Sequence, residues 1–109
     1  MNQSLILISL FLLMALVAVL WFSQFKMVYE DYSSGELHRK YKLKNGRKEG
    51  KEYIYYRTGE LNKVKEWRKG ELSGQVITYY KSGEKYIIDT YAKGEYLDSV
   101  ILNTALSHN

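Results

Sequence analysis

Hydrophobic positions are distributed along this chain in two unrelated ways. Residues 5–22 read LILISLFLLMALVAVLWF, an apolar run interrupted only by Ser9, and no charged residue precedes Lys26. Beyond it, apolar positions come in short runs such as KEYIYYR (51–57) and QVITYYK (75–81). These are rich in β-branched and aromatic residues and are separated by glycine-containing dipeptides. The first pattern predicts a helix that is apolar on every side, the second a succession of short strands. No stretch after residue 26 has helical periodicity.

As a helix, residues 5–22 would span about 27 Å, against a bilayer core of roughly 30 Å. Extension through Ser23 and Gln24 to Phe25 completes the length. It also places Trp21, Phe22 and Phe25 where an interfacial aromatic belt lies. Contact with a membrane is therefore expected through residues 5–25. A cleaved secretory signal, leaving a secreted or periplasmic tail, is the competing reading. It lacks a basic leader, since the run follows Met-Asn-Gln-Ser. Ala15 and Ala18 also stand one step too far apart for an A-x-A cleavage site. A buried core helix would need the rest of the chain to cover it on all sides, and nothing there is suited to that. An uncleaved single-pass anchor is the expectation. Lys26, Arg39 and Lys40 follow the run, which by the positive-inside rule puts the tail in the cytoplasm. The short uncharged N-terminus is compatible with the opposite topology as well.

The eight glycines carry the next signal. Gly35, Gly59 and Gly83 are 24 residues apart; so are Gly46, Gly70 and Gly94, and so are Gly50 and Gly74, with Asp98 at the next step. Tyr32, Tyr56 and Tyr80 precede the first column by three positions, and Glu36, Glu60 and Glu84 follow it. A fixed period of this size signals repeated supersecondary units. Each unit reads as a β-hairpin whose glycines supply the positive φ of tight turns. All eight are expected to be turn residues, and Gly70 and Gly74 to bracket one longer turn. Strands are expected near 28–32, 38–44, 51–57, 61–68, 75–81 and 85–92, with a seventh over 99–104. The predicted fold is all-β, an open antiparallel β-meander of about three 24-residue hairpin repeats. One transmembrane or signal helix precedes it. The chain divides into an anchor or signal segment (1–26), a repeat domain (27–104) and a frayed tail (105–109).

The run from Gly50 through KEYIYYRTGELNKVKEWRKGELS to Gly74 resembles a MORN-variant repeat, with its Tyr-Tyr pair, glycine turn and later Lys-Gly. Three such copies cover residues 27–98. The first lacks the second tyrosine of the pair (Asp31-Tyr32), and the third ends in Asp98. Arrays of this kind are similar to the YwqK-like family, often labelled as the antitoxin half of toxin–antitoxin systems. The resemblance implies an interaction scaffold, and an antitoxin or immunity role as one form of it.

Composition narrows the chemistry. The absence of cysteine excludes disulfides, thiolate chemistry and Cys-based zinc sites. The chain has 16 Lys/Arg and 12 Asp/Glu, and only Lys26 among them lies before residue 27, so the tail carries +3. That is too mild for a nucleic-acid footprint, and no nucleic-acid partner is expected. His38 and His108 have no companion at metal-ligand spacing, so no metal or cofactor is expected. Glu60 and Glu84 recur at exposed turns, where nothing tunes a carboxyl for acid–base work, and no catalytic residue is assigned. A non-catalytic module binding another protein is the leading expectation. Tyr55, Trp67 and Tyr79 are the contact candidates, and the Tyr32/Tyr56/Tyr80 column is structural. An envelope or membrane-surface structural protein contacting anionic lipid headgroups is the alternative, and a small enzyme is the third reading. Alternation puts Tyr53, Tyr55, Ile77 and Tyr79 on one side and Ile54, Tyr56, Val76 and Tyr80 on the other. Both sides thus hold aromatics among lysine and glutamate. The number of copies in an assembly is not encoded in these patterns.

Overall fold

A computed structural model describes residues 2–102. Helix α1 spans Gln3–Phe22. It is followed by β1 (Phe25–Asp31), β2 (Leu37–Lys44), the two-residue β3 (Arg47–Lys48), β4 (Gly50–Tyr55), β5 (Leu61–Arg68), β6 (Glu71–Tyr79), β7 (Lys85–Ala92) and β8 (Glu95–Ile101). The strands form one antiparallel sheet in the order β1-β2-β4-β5-β6-β7-β8, with β3 pairing with β2. Apart from the short β3, which like β4 pairs with β2, every strand neighbours the one before it, as hairpin units demand.

Helix α1 begins where the Asn2 side chain accepts the Ser4 N–H at 3.0 Å. It ends at Ser23, whose hydroxyl donates to the Leu20 carbonyl and whose N–H donates to the Val19 carbonyl. None of its residues is buried. It is long and apolar enough to cross a bilayer. The described chain extends over 77 × 35 × 24 Å, and the helix projects away from the sheet. Phe25 does not prolong the apolar helix as expected. The Ser23 cap closes the helix first, and Phe25 opens β1 by pairing with Lys44. The helix-to-sheet boundary therefore falls at Ser23-Gln24 rather than after residue 26.

Among the described residues, the buried hydrophobic side chains are Ile54, Val64 and Val76. Each contributes about 1.5–3 kcal/mol. Three such residues cannot alone hold a sheet of this width. The ladder hydrogen bonds and the cross-strand pairs supply the rest.

Glycine performs two different tasks here. Lys69 (φ 51) and Gly70 (φ 82) form a two-residue turn, and Asn45-Gly46 and Lys93-Gly94 repeat it. Gly74, expected in a longer turn, instead lies within β6, where residues 73–75 stand opposite Glu66 between the pairs Trp67–Leu72 and Lys65–Val76. This is a β-bulge, which explains why β6 starts at Glu71 rather than 75. The same bulge at Gly50 splits the equivalent strand into β3 and β4. Where Asp98 replaces the glycine, the irregularity shrinks: Leu97 is the one extra residue between Thr90–Asp98 and Tyr91–Tyr96. The expected strand over 99–104 is thus β8, beginning at Glu95. Positions 103 and 104, the tail 105–109 and His108 lie outside the described residues.

Candidate interaction surface

Directly opposed residues of antiparallel strands share a face, so the registers sort the side chains. One row crosses the whole sheet: Tyr29, Lys40, Tyr53, Val64, Ile77, Ile88 and Val100. Its side is called here the open face. On the other side lie Glu30 with Arg39, and Glu52 with Lys65 and Val76. This is the paired face. The expected set of Tyr53, Tyr55, Ile77 and Tyr79, alternate residues of β4 and β6, falls on one side, with Val64 joining it and Trp67 opposite. The two sides differ more in charge pairing than in aromatic content.

The paired face is organised around Glu52, whose side chain is fully buried. Lys48 Nζ donates to its two oxygens at 3.2 and 3.1 Å, Trp67 Nε1 donates at 2.9 Å and Arg39 Nη1 at 3.5 Å. Lys48 Nζ also sits 4.4 Å from the Tyr41 ring centre and 4.7 Å from that of Trp67. Arg39 Nε lies 3.2 Å from Glu30, at ion-pair distance but without an aligned hydrogen bond. A buried carboxylate is tolerated only when its lone pairs are filled in this way. Burial holds the Lys65 ammonium below its ordinary pKa, partly offset by Glu52. Burial, with Glu30 and Glu52 adding to it, raises the Tyr41 phenol.

Cations on the open face are held differently. Lys40 Nζ lies 5.3 and 5.9 Å from the ring centres of Tyr53 and Tyr55. Lys42 and Lys44 flank Phe25 at 4.9 and 5.8 Å. Among the described residues none of these three lysines is within ion-pair distance of a carboxylate. Their ammonium groups lie over the rings, an arrangement worth roughly 0.5–1 kcal/mol at an exposed site. Met27 and Tyr29 beside them are 50% and 62% exposed, and no layer covers this side.

Two rows of turns close the sheet at its ends. Far from the helix, Tyr32 and Tyr56 act as ties. Their hydroxyls donate to the carbonyls of Tyr55 (2.7 Å) and Tyr79 (2.8 Å), one repeat further on. Arg57 then covers the Tyr32 ring and Lys81 the Tyr56 ring. In these turns the Ser34 hydroxyl donates to Glu36 and the Thr58 hydroxyl to Glu60. Those hydrogen bonds, helped by each glutamate's own N–H, lower the pKa of both carboxyls. Tyr80 repeats the turn, its N–H donating to the Glu84 carbonyl at 2.9 Å and accepting Gly83 in return at its own carbonyl. His38 stacks on Tyr32 at 4.2 Å, and Tyr86 on Tyr80 at 4.6 Å. Among the described residues, no three His, Asp or Glu side chains converge on a metal-sized site.

The near row begins beside the helix, where the Asn45 N–H donates to the Gln24 carbonyl at 2.8 Å. Gly70 N–H to Lys48 and Gly94 N–H to Leu72 carry the row sideways. Between successive turns lie shallow clefts of about 160 Å³ (Lys44, Asn45, Arg47, Glu49, Lys69) and about 320 Å³ (Arg68, Lys69, Glu71, Ser73, Lys93).

Of the contact candidates, Tyr55 and Tyr79 are half-buried, and Tyr55 lies on the open face under Lys40. Trp67 is engaged elsewhere: its indole N–H holds the buried Glu52. Sequence reasoning passed over Glu52 itself, because an isolated glutamate in a Lys/Glu-rich strand reads as solvent-facing. It also passed over Lys40, Lys42 and Lys44, whose alternation along β2 opposite Phe25 and Tyr29 was the available signal. No protein-family model, characterised protein or solved structure matches the chain.

Proposed function

We propose that the chain is a membrane-anchored, non-catalytic repeat module whose open face binds another protein. One observation carries this reading: the uncovered row from Tyr29 to Val100 combines tyrosine, aliphatic and lysine side chains across every long strand. Aromatic residues on an uncovered face favour docking, because they bring large contact area at low entropic cost. The helix long enough for a bilayer supports the anchoring, and the exposed, ionised turn glutamates give no group suited to proton donation. The finer form, an antitoxin or immunity partner, rests on the repeat resemblance alone.

The test is a photoreactive phenylalanine analogue placed at Tyr55, Tyr79 or, on the paired face, Lys63, in cells that express the full chain. A discrete protein adduct from Tyr55 and Tyr79 but not Lys63 is expected; equal labelling from both faces overturns the reading. Co-expression with a neighbouring toxic gene product tests the immunity form, which fails if neither rescue nor association occurs. Protease accessibility of the tail in intact cells identifies the compartment of the partner.

A second reading is favoured by the near row of turns, where Lys44, Arg47, Lys69 and Lys93 gather at the end of the sheet that adjoins the helix. Such cations attract anionic headgroups at about 1 kcal/mol each near a bilayer surface. It predicts salt-sensitive apposition of this row to anionic but not zwitterionic bilayers, and apposition insensitive to lipid charge removes it.

A further inference from the structure

Lys48 on the paired face and three lysines on the open face have unlike partners, and the difference specifies a ligand. On the paired face Lys48 and Arg39 are neutralised by Glu52 and Glu30. On the open face Lys40, Lys42 and Lys44 alternate along one strand, lean on Tyr53, Tyr55 and Phe25, and have no carboxylate at ion-pair distance among the described residues. The ring contacts hold the ammonium groups in place without neutralising their charge, so the rotamer cost of binding is reduced in advance. From this geometry we infer that the β1–β2–β4 part of the open face receives an acidic, extended segment of a partner held at the same membrane. This deepens the proposed function and rests on it.

Three features select that occupant. Lys40, Lys42 and Lys44 are two residues apart, so their spacing is about 6.6 Å per step, matching same-face carboxylates on a partner strand. Phe25 lies three residues beyond the end of α1, so the patch begins beside a bilayer-length helix. A partner sharing that membrane gains effective concentration without new contacts. The patch also rises away from the helix. Tyr29, four residues past Phe25 and opposite Lys40, stands about 13 Å further along β1. The headgroup layer is only about 5–8 Å deep on each side. A row that continues the helix direction is therefore longer than the headgroup layer is deep, and lipid at its Lys44 end would not cover all of it.

The full chain is placed in zwitterionic nanodiscs together with a lipid-tethered peptide of alternating glutamate and threonine. An alternating lysine–threonine peptide serves as control. A zero-length carbodiimide, which joins carboxylate to amine, reports contacts by mass spectrometry. Adducts at Lys40 and Lys42 at least tenfold above those at Lys63 and Lys65 are expected. They should fall to background in Lys40→Gln/Lys42→Gln/Lys44→Gln, with circular dichroism verifying that the triple variant keeps its sheet. Lys63→Gln/Lys65→Gln should leave them unchanged. Equal labelling of both faces overturns the inference. So does loss of the adducts when anionic lipid is added, because the patch then prefers headgroups. Failure of the chain to enter the discs overturns it together with its membrane premise. If the acidic peptide fails while photocrosslinking from Tyr55 still yields a partner, the charge inference falls and the docking face stands.

Discussion

The two faces of this sheet use the same residue types for opposite ends. On the paired face, charge is consumed internally: one buried glutamate gathers two cations and an indole N–H. On the open face, lysines lie on aromatic rings and keep their charge available. A single-layer sheet has no second layer to hide polar groups in, so one side must satisfy itself. The other is left uncovered. Lysine and tyrosine content cannot distinguish the sides; the location of the buried carboxylate, Glu52, does.

The sharpest way to break this contrast is Glu52→Ala, which strands Lys48, Arg39 and Trp67 Nε1 around an empty site. A loss of about 3 kcal/mol is expected from urea unfolding of the full chain in detergent, with Glu52→Gln milder because it can still accept from Trp67. If Glu52→Ala costs no more than an open-face change, the contrast is wrong. Next comes Gly74→Ala, at about 1–2 kcal/mol. Its φ of 109° disfavours any side chain, and the new Cβ would meet Glu66, on the open side. Adding Glu66→Ala should recover the steric part of the loss and leave the backbone part.

Tyr56→Phe belongs to neither face and should cost about 1 kcal/mol through its lost bond to the Tyr79 carbonyl. An equal effect for Tyr32→Phe would establish that the two ties are equivalent. Lys40→Gln should alter stability by less than about 0.5 kcal/mol while weakening partner contact, the signature expected of an exposed binding residue. The smallest effect is a pH one. Glu36 and Glu60 have folded-state pKa values below the ordinary 4.5. Their contribution to stability is therefore complete above about pH 4.5 and is lost as pH falls through the folded values. NMR titration should place the Glu60 midpoint below 4.5 and return it toward that value in Thr58→Val.

The 24-residue period made the hairpin order legible, and β5 and β7 occupy the expected 61–68 and 85–92. Strands were misjudged where glycine had two meanings. Gly70 and Gly74 look alike in sequence, yet one turns the chain and the other bulges it, and only pairing with β5 separates them. Phe25 was misplaced because an aromatic after an apolar run suits both a helix end and a strand start. The contact candidates were legible only in part. Alternation grouped Tyr55 with Tyr53, but the fate of Trp67 depended on Glu52, which is 15 residues away in sequence and whose burial arises from cross-strand neighbours.

The tyrosine ties have a consequence for how such a chain can change. Each hydroxyl reaches a carbonyl 23 residues ahead, so a unit is completed by its successor rather than by itself. Excising residues 51–74 in frame would set Gln75 after Gly50 and deliver the Tyr79 carbonyl to Tyr32 at an unchanged offset. The same argument permits duplication. The width of the sheet is accordingly quantised, in steps of two strands or about 10 Å, and the reach of its open-face row can be lengthened or shortened without inventing a new interface within the array.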